Sequence, residues 1–347
     1  MAFLIYGANG YTGQLAAEHA VERGLRPVLA GRNREKLAPL AERLGLETRV
    51  FGLDAQVGVR EGIRGMTAVL HAAGPFSATS APMADACLRS GIHYLDITGE
   101  VAVFEALAER HGDAKSAGVM LLPGAGFDVV PSDCLAAHVK QRLPGATRLR
   151  LSIGGLGKVS RGTTRTMIES LKRGTLVRRD GKIVELPRPP RATADFGDGP
   201  TPTIGVTWGD VSTAWHSTHI PDVEVYFQAS PALEKGASMS PVAKWFAGTP
   251  LGQWLLKRKV DQRPPGPTPE QRARGRAVII AEAWDADGTH VASRLVTPEG
   301  YTLTAHTAVE IARRADSGEA PSGFQTPSRA YGADFILSFE GVQREDL

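Results

Sequence analysis

The chain has 347 residues, enough for two domains that each bury a core, and length alone predicts two more readily than one. A net charge of +3, with no run of Lys and Arg interleaved with aromatics, excludes the electrostatic footprint of a DNA- or RNA-binding surface. The two cysteines, Cys87 and Cys134, fall in helical-looking stretches and exclude a disulfide framework, which points to a reducing, cytoplasmic compartment; neither a signal peptide nor a membrane span is legible.

The first predicted elements organise the rest. Residues 3–6 form a short apolar strand that empties into Gly7-Ala8-Asn9-Gly10-Tyr11-Thr12-Gly13, and 14–23 reads as a helix. Strand, glycine turn and helix at the spacing G-x-x-G-x-x-G form a close variant of the dinucleotide fingerprint. Gly7 serves the tight turn, Gly10 the approach of a pyrophosphate, and Gly13 the close seating of helix on sheet. The anion would lie at the helix N-terminus, where amides and dipole both favour negative charge. Asn9, Tyr11 and Thr12 complete this predicted cofactor turn.

A second strand at 27–30 ends in Gly31-Arg32-Asn33 before a helix at 34–44. An acidic residue here would hold a ribose 2′-hydroxyl, whereas arginine accommodates a 2′-phosphate. Arg32, with Asn33 and Lys36, therefore predicts NADP(H) over NAD(H).

Alternation continues with strands at 48–52, 68–72, 93–97 and 119–122 and helices at 56–63, 80–90 and 101–116. This is the pattern of a parallel sheet covered on both faces, in which ligands bind beyond the strands' C-terminal ends. The loops leaving those ends are the predicted site: Asp54, Ala73-Gly74-Pro75-Phe76, Thr98-Gly99-Glu100 and Gly124-Ala125-Gly126-Phe127-Asp128.

Beyond Pro131 the pattern changes. A helix at 132–142 precedes alternating, strand-like runs at 148–153, 205–207, 223–229, 276–285 and 290–296, which predict a mixed or antiparallel second sheet. The stretch 188–202 reads as loop, 213–221 as extended, and 304–315 as a helix packing on the second sheet.

Taken in order, Gly7 to Gly13, Ala30-Gly31-Arg32, Ala72 to Phe76, Tyr94-Leu95-Asp96-Ile97-Thr98-Gly99-Glu100 and Gly126-Phe127-Asp128-Val129-Val130-Pro131-Ser132-Asp133 resemble the saccharopine dehydrogenase-like oxidoreductases, in particular their trans-acting enoyl reductase branch. Gly266 to Arg272, Gly300-Tyr301 and Gln325 to Ser328 extend the resemblance almost to the C-terminus. It implies NADP(H), a Rossmann-type doubly wound parallel sheet over 1–130, a second α/β (α+β) domain with a mixed sheet over 131–320, and a segment 321–347 packing back near the first domain. The cofactor residues expected from these loops are Gly7, Asn9, Gly10, Tyr11, Thr12, Gly13, Arg32, Asn33, Lys36, Asp54, Ala73, Gly74, Pro75, Phe76, Gly99 and Phe127.

The chemistry narrows by exclusion. No tyrosine is followed four residues on by lysine, so the short-chain reductase pair is missing. Cys87 and Cys134 read as small buried hydrophobes. His216 and His219 form an H-x-x-H pair without an evident third ligand, and no metal is expected. Hydride transfer governed by positioning remains. Glu100 and Asp128 fit either proton donation or helix capping; Ser160 and Thr163, opening a helix at 164–172, fit either a substrate oxygen or an N-cap. An amino-acid substrate would require two or more basic residues in the second domain, and Arg161 and Arg165 could serve.

The stretch 242–259 clusters two tryptophans with four basic residues, and reads either as a helix docked on its own protein or as a lipid-gripping one. The expected function is NADP(H)-dependent reduction of an activated C=C bond of a lipid or polyketide-like substrate. The alternatives are an imine or amino-acid reductase and a non-catalytic NADP sensor. Expected partners are a small-molecule or acyl-type substrate and no nucleic acid; peripheral membrane contact and a homodimer stay open.

Overall fold

The computed structural model describes residues 3–157, 159–170, 174–239 and 246–347, which form two compact units. The first comprises 1–130 and 300–339, the second 131–299 and 340–347.

In the first unit, strands β1 (Phe3–Tyr6), β2 (Val28–Gly31), β3 (Thr48–Val50), β4 (Ala68–His71), β5 (His93–Asp96) and β6 (Met120–Leu122) are joined by β15 (Gly323–Phe324), so numbered because it follows the strands of the second sheet in the chain. Their order is β15-β6-β5-β4-β1-β2-β3, and every pairing is parallel. This is the doubly wound order with one added edge strand, and its switch point lies between β1 and β4. β1, β2 and β4 are buried at every position, as strands covered on both faces must be, which explains their almost wholly apolar sequences, His71 at the end of β4 excepted.

The helix boundaries shift for identifiable reasons. The first helix is Tyr11–Glu22, starting directly after Gly10. The predicted helix at 80–90 is Phe76–Ser90, because a carboxylate from elsewhere in the chain caps its start. The predicted helix at 101–116 is two, Val101–Ala108 and His111–Ser116, interrupted at Glu109 and Arg110.

The helix predicted at 304–315 is Gly300–Asp316 and belongs to the first unit, not to the second sheet. It lies against helix Tyr11–Glu22 and against β4 and β5. Small residues explain the choice: Ala305, Ala308 and Ala312 on one helix and Gly13, Ala16, Ala17 and Ala20 on the other are all buried, so the two backbones approach closely. The division expected at 320 and 321 therefore moves. The return to the first unit begins at Gly300, and the last eight residues, 340–347, belong to the second.

The second unit has a nine-stranded mixed sheet. Its strands are β7 (Arg148–Gly154), β8 (Thr175–Arg179), β9 (Lys182–Leu186), β10 (Arg191–Asp195), β11 (Pro200–Gly205), β12 (Asp222–Gln228), β13 (Arg276–Trp284), β14 (His290–Pro298) and β16 (Gln343–Asp346). The main path runs β10-β11-β12-β7-β13-β14-β16, with β8 and β9 attached through β12. Among the described residues only β12 and β7 pair in parallel.

The stretch read as loop at 188–202 contains β10 and the start of β11. Pro200 and Pro202 suggested a break, yet they occupy the beginning of β11, before the residues Thr203–Gly205 that register with β12, where proline is tolerated. Asp195 closes this hairpin by accepting hydrogen bonds from the amides of Gly197 and Gly199. The extended reading of 213–221 is also overturned: Asp210–Thr218 is a helix with Thr213 buried, and His219 follows as its left-handed cap.

Candidate cofactor site

Beyond the C-terminal end of β1, Gly7 turns with φ +85°, and a Cβ there would lie 2.8 Å from the Cβ of Ala73, in the loop after β4. The two loops at the switch point thus touch at a position only glycine fills. The other glycines divide the labour. At Gly13 a Cβ would stand 2.4 Å from the Gly7 carbonyl oxygen, so this residue seats the helix; at Gly10 it would meet only that same oxygen, at 3.2 Å, leaving the outer side open. Helix Tyr11–Glu22 has no side-chain cap and no acid in its first turn, so its positive end is left for an anion. Asn9 lies across the floor, its Oδ1 3.1 Å from where a Cβ on Gly31 would be, and its carbonyl accepts from Gln14 Nε2 at 3.1 Å.

Arg32 is exposed at the end of β2 and has no hydrogen bond or ion pair among the described residues. Its charge and that of Asp54 both act on the buried Tyr6 hydroxyl, whose pKa is raised by burial first, lowered by Arg32 and raised by Asp54. Asn33 is occupied locally, since its Oδ1 accepts from the amide of Lys36 at 3.0 Å as the N-cap of helix Arg34–Leu44. The Lys36 side chain is exposed on that first turn.

In the loop after β4, Gly74 and Pro75 are exposed, but Phe76 is buried against His71, with ring centroids 5.5 Å apart. Its ring is part of the core. The loop is clamped from two sides. Thr79 Oγ1 donates to the carbonyls of Ala73 and Pro75 at 2.7 and 3.0 Å. The two Glu100 carboxylate oxygens accept from the amides of Phe76 and Ser77, both at 2.9 Å. Glu100 therefore caps helix Phe76–Ser90 from the next loop. With both oxygens engaged at a positive helix end it is a positioning residue, and the proton-donor reading of Glu100 is set aside.

The loops after β5 and β6 are tied by a residue with no role in the sequence reading. Asp96 is fully buried; its Oδ1 accepts from Thr98 and Gly124 amides at 2.9 and 3.0 Å, and its Oδ2 from the Tyr94 hydroxyl at 2.7 Å. Burial pushes its carboxyl up to about 6 despite these donors. An acid at the end of an apolar strand, two residues before Thr98, was the available signal.

Asp128 differs from Asp96. Its Oδ2 lies 2.9 Å from where a Cβ on Gly99 would be, so Gly99 makes room for the carboxyl. No hydrogen bond or ion pair reaches this side chain among the described residues. Part of the residue contacts solvent, yet burial pushes the carboxyl up to about 7. Phe127, expected at the cofactor, is buried instead beneath Gly300, and its amide donates to Thr304 Oγ1 at 2.9 Å. Tyr301, on the same returning helix, meets Tyr11 edge to face with centroids 5.1 Å apart, so the helix that closes the sequence's long excursion reaches the glycine turn. The sequence reading gave Tyr301 no part in the site.

Ser160 and Thr163 lie in the second unit and act as a cap. Ser160 Oγ accepts from the Thr163 amide at 3.2 Å and lies 3.1 Å from Thr163 Oγ1 at the start of helix Arg161–Ser170. The catalytic reading of the pair loses its support to that bonding. Among the described residues no group of three or more His, Cys, Asp or Glu could hold a metal ion, and no helix is long and apolar enough to cross a membrane.

Residues 3–122 match the family model of the saccharopine dehydrogenase NADP binding domain. The chain is 36% identical over 148 residues to a trans-acting enoyl reductase of Mycobacterium leprae, covering 40% of this chain and 35% of that protein. It is 28% identical over 162 residues to a bovine saccharopine dehydrogenase-like oxidoreductase, covering 41% of this chain and 38% of that protein. The matched stretch thus spans well under half the length of either relative. In fold, the chain is similar over 100% of its length to apo saccharopine dehydrogenase (L-Glu forming) from Saccharomyces cerevisiae, with a TM-score of 0.66 at 11% identity. Residues 3–122 are therefore a saccharopine dehydrogenase-type NADP(H)-binding domain, and the α/β fold of the whole chain is that of the yeast enzyme. The residues fit this cofactor: an open face at Gly10, an uncapped helix end and an unpaired Arg32.

Proposed function

We propose that the chain is an NADPH-dependent reductase of an activated C=C bond in a lipid or polyketide-like substrate, with Asp128 as the acid. The observation that carries this reading is the Asp128 carboxyl: enclosed beside Gly99, unpaired among the described residues and raised to about 7 at the edge where α/β sheets bind their ligands. An acid poised near neutrality is suited to give up a proton during the reaction. Reduction of an enoyl group adds a hydride to the β-carbon and leaves an electron pair, delocalised as an enolate, that takes one proton at the α-carbon. Asp128 holds that proton on its carboxyl and regains one from water.

NADPH, when bound, supplies the hydride, two electrons and one hydrogen, and leaves as NADP+. The chain's own residues bind and orient it: the Gly7 to Gly13 turn for the pyrophosphate, Arg32 for the 2′-phosphate, and the Ala73 to Pro75 loop held by Thr79 and Glu100. The name borne by the mycobacterial relative supports the C=C substrate. The test is to incubate the protein with NADPH and a panel of enoyl thioesters, cyclic imines and 2-oxo acids with amines, following loss of the reduced nicotinamide absorbance. Turnover of enoyl thioesters supports the proposal. Turnover of imines alone replaces it with a saccharopine-type reduction, and no turnover anywhere supports a cofactor-bound sensor.

A further inference from the structure

Of the ten exposed large hydrophobic residues among the described ones, four lie between 246 and 255: Phe246, Leu251, Trp254 and Leu255, at 48, 59, 54 and 43% exposure. The last three sit on helix Pro250–Asp261 at i, i+3 and i+4, one continuous stripe. The opposite side of the helix is anchored: Gly252 and Val260 are buried, and Gln253 Nε2 donates to the Ile168 carbonyl at 3.0 Å. The helix is thus held to the second unit by one face and presents the other to solvent. Val242 to Trp245, which opened the stretch singled out in the sequence, lie outside the described residues.

We propose that this stripe is a docking surface for an anionic lipid bilayer. Its charge is complementary to anionic headgroups. Arg258 continues the stripe one turn on and stacks over Trp254 at 5.4 Å from the ring centroid, and between 246 and 263 the sequence holds Lys257, Arg258, Lys259 and Arg263 against the single acid Asp261. A tryptophan with an apolar body and polar N–H, flanked by leucines and followed by arginine, is the composition that settles at the boundary of headgroups and acyl chains. Twelve residues make a helix of about 18 Å, too short for a hydrocarbon core of about 30 Å, so it lies in the plane of the surface. The helix end carrying Arg258 faces the phosphates, and the leucines enter the boundary layer.

The experiment uses the full chain with vesicles of phosphatidylcholine alone and with about a third phosphatidylglycerol, in flotation and by Trp254 fluorescence, taken as the difference between the parent and W254F. The expected result is flotation with the anionic vesicles, a blue shift of the Trp254 emission, weakening by salt, and a loss of at least about tenfold in partitioning for the surface variant L251S/W254S/L255S. An unchanged circular dichroism spectrum and thermal unfolding midpoint of that variant show that it is folded. No flotation of the parent, or flotation that the triple variant leaves unchanged, overturns the proposal. So does a concentration-dependent dimer in sedimentation that the triple variant abolishes, which would assign the stripe to a second copy of the chain.

Discussion

The proposed reading gives two residues roles in the chemistry, and each makes a separable prediction. Arg32, unpaired among the described residues at the end of β2, would form a charge-assisted contact with the 2′-phosphate worth roughly 1.5–3 kcal/mol, or about 10- to 150-fold in affinity. Titration should show NADPH binding more tightly than NADH by that margin, with R32D reversing the order; equal affinities of the parent for the two cofactors would refute the assignment. Asp128 is read from pH. Burial raises its folded pKa to about 7, above the unfolded value of about 3.9, so the folded state favours the neutral acid. The stability it contributes is full below pH of about 4 and is lost as pH rises through about 7. D128N should therefore match the parent near pH 4 and exceed it in denaturant midpoint above pH 7, while its turnover falls by about 10²-fold or more. A variant with unchanged turnover and a parallel pH profile would mean that Asp128 neither titrates nor acts.

At the scale of elements, the glycine turn separates binding from folding. G10V should abolish NADPH binding and change the melting temperature little, since its Cβ meets only one oxygen at 3.2 Å. G13A forces a Cβ to 2.4 Å from a backbone oxygen and should destabilise by roughly 1–3 kcal/mol in thermal unfolding, which the tight seating requires. The packing of helix Gly300–Asp316 on Tyr11–Glu22 carries its own pH signature. His306 stacks on His19 at 4.1 Å, and burial, His19 and Arg23 together push its pKa down to about 4. A base depressed below its unfolded value of about 6.5 contributes stability above that pH and loses it as pH falls toward 4. H306F should lose less stability than the parent across that window in paired thermal melts.

These elements also show what a sequence discloses. Periodicity made the parallel sheet legible, and glycine spacing the strand-turn-helix that opens the chain, because each is a local pattern. Glu100 looked like an acid beside the chemistry, and only the fold reveals that it caps a helix beginning 24 residues earlier. Gly300–Asp316 looked like a cover for the nearby second sheet because its alanine face carries no address; its partner is the equally small-faced first helix, almost 300 residues away. Asp96 and Asp128 are both acids at strand ends, and nothing in their spacing says that one is saturated with donors and the other bare.

For the molecule as a whole, residues 3–122, which match the saccharopine dehydrogenase NADP binding domain, belong to a discontinuous first unit: the sequence leaves it at Pro131, builds a mixed sheet, and returns at Gly300 to lay Tyr301 against the glycine turn. The proposed reductase needs a cofactor bound at that unit and the acid at Asp128 to act in one reaction. The most direct measurement is isotope tracing: (4R)- and (4S)-[4-²H]NADPH are each incubated with the protein and an enoyl thioester in water, and the reduced product is examined by mass spectrometry and NMR. The expected product carries one deuterium at the β-carbon from one of the two cofactors only and a solvent-derived hydrogen at the α-carbon, and D128N slows the whole conversion. A product left unlabelled by both cofactors, or no reduction while NADPH binds normally, would contradict it.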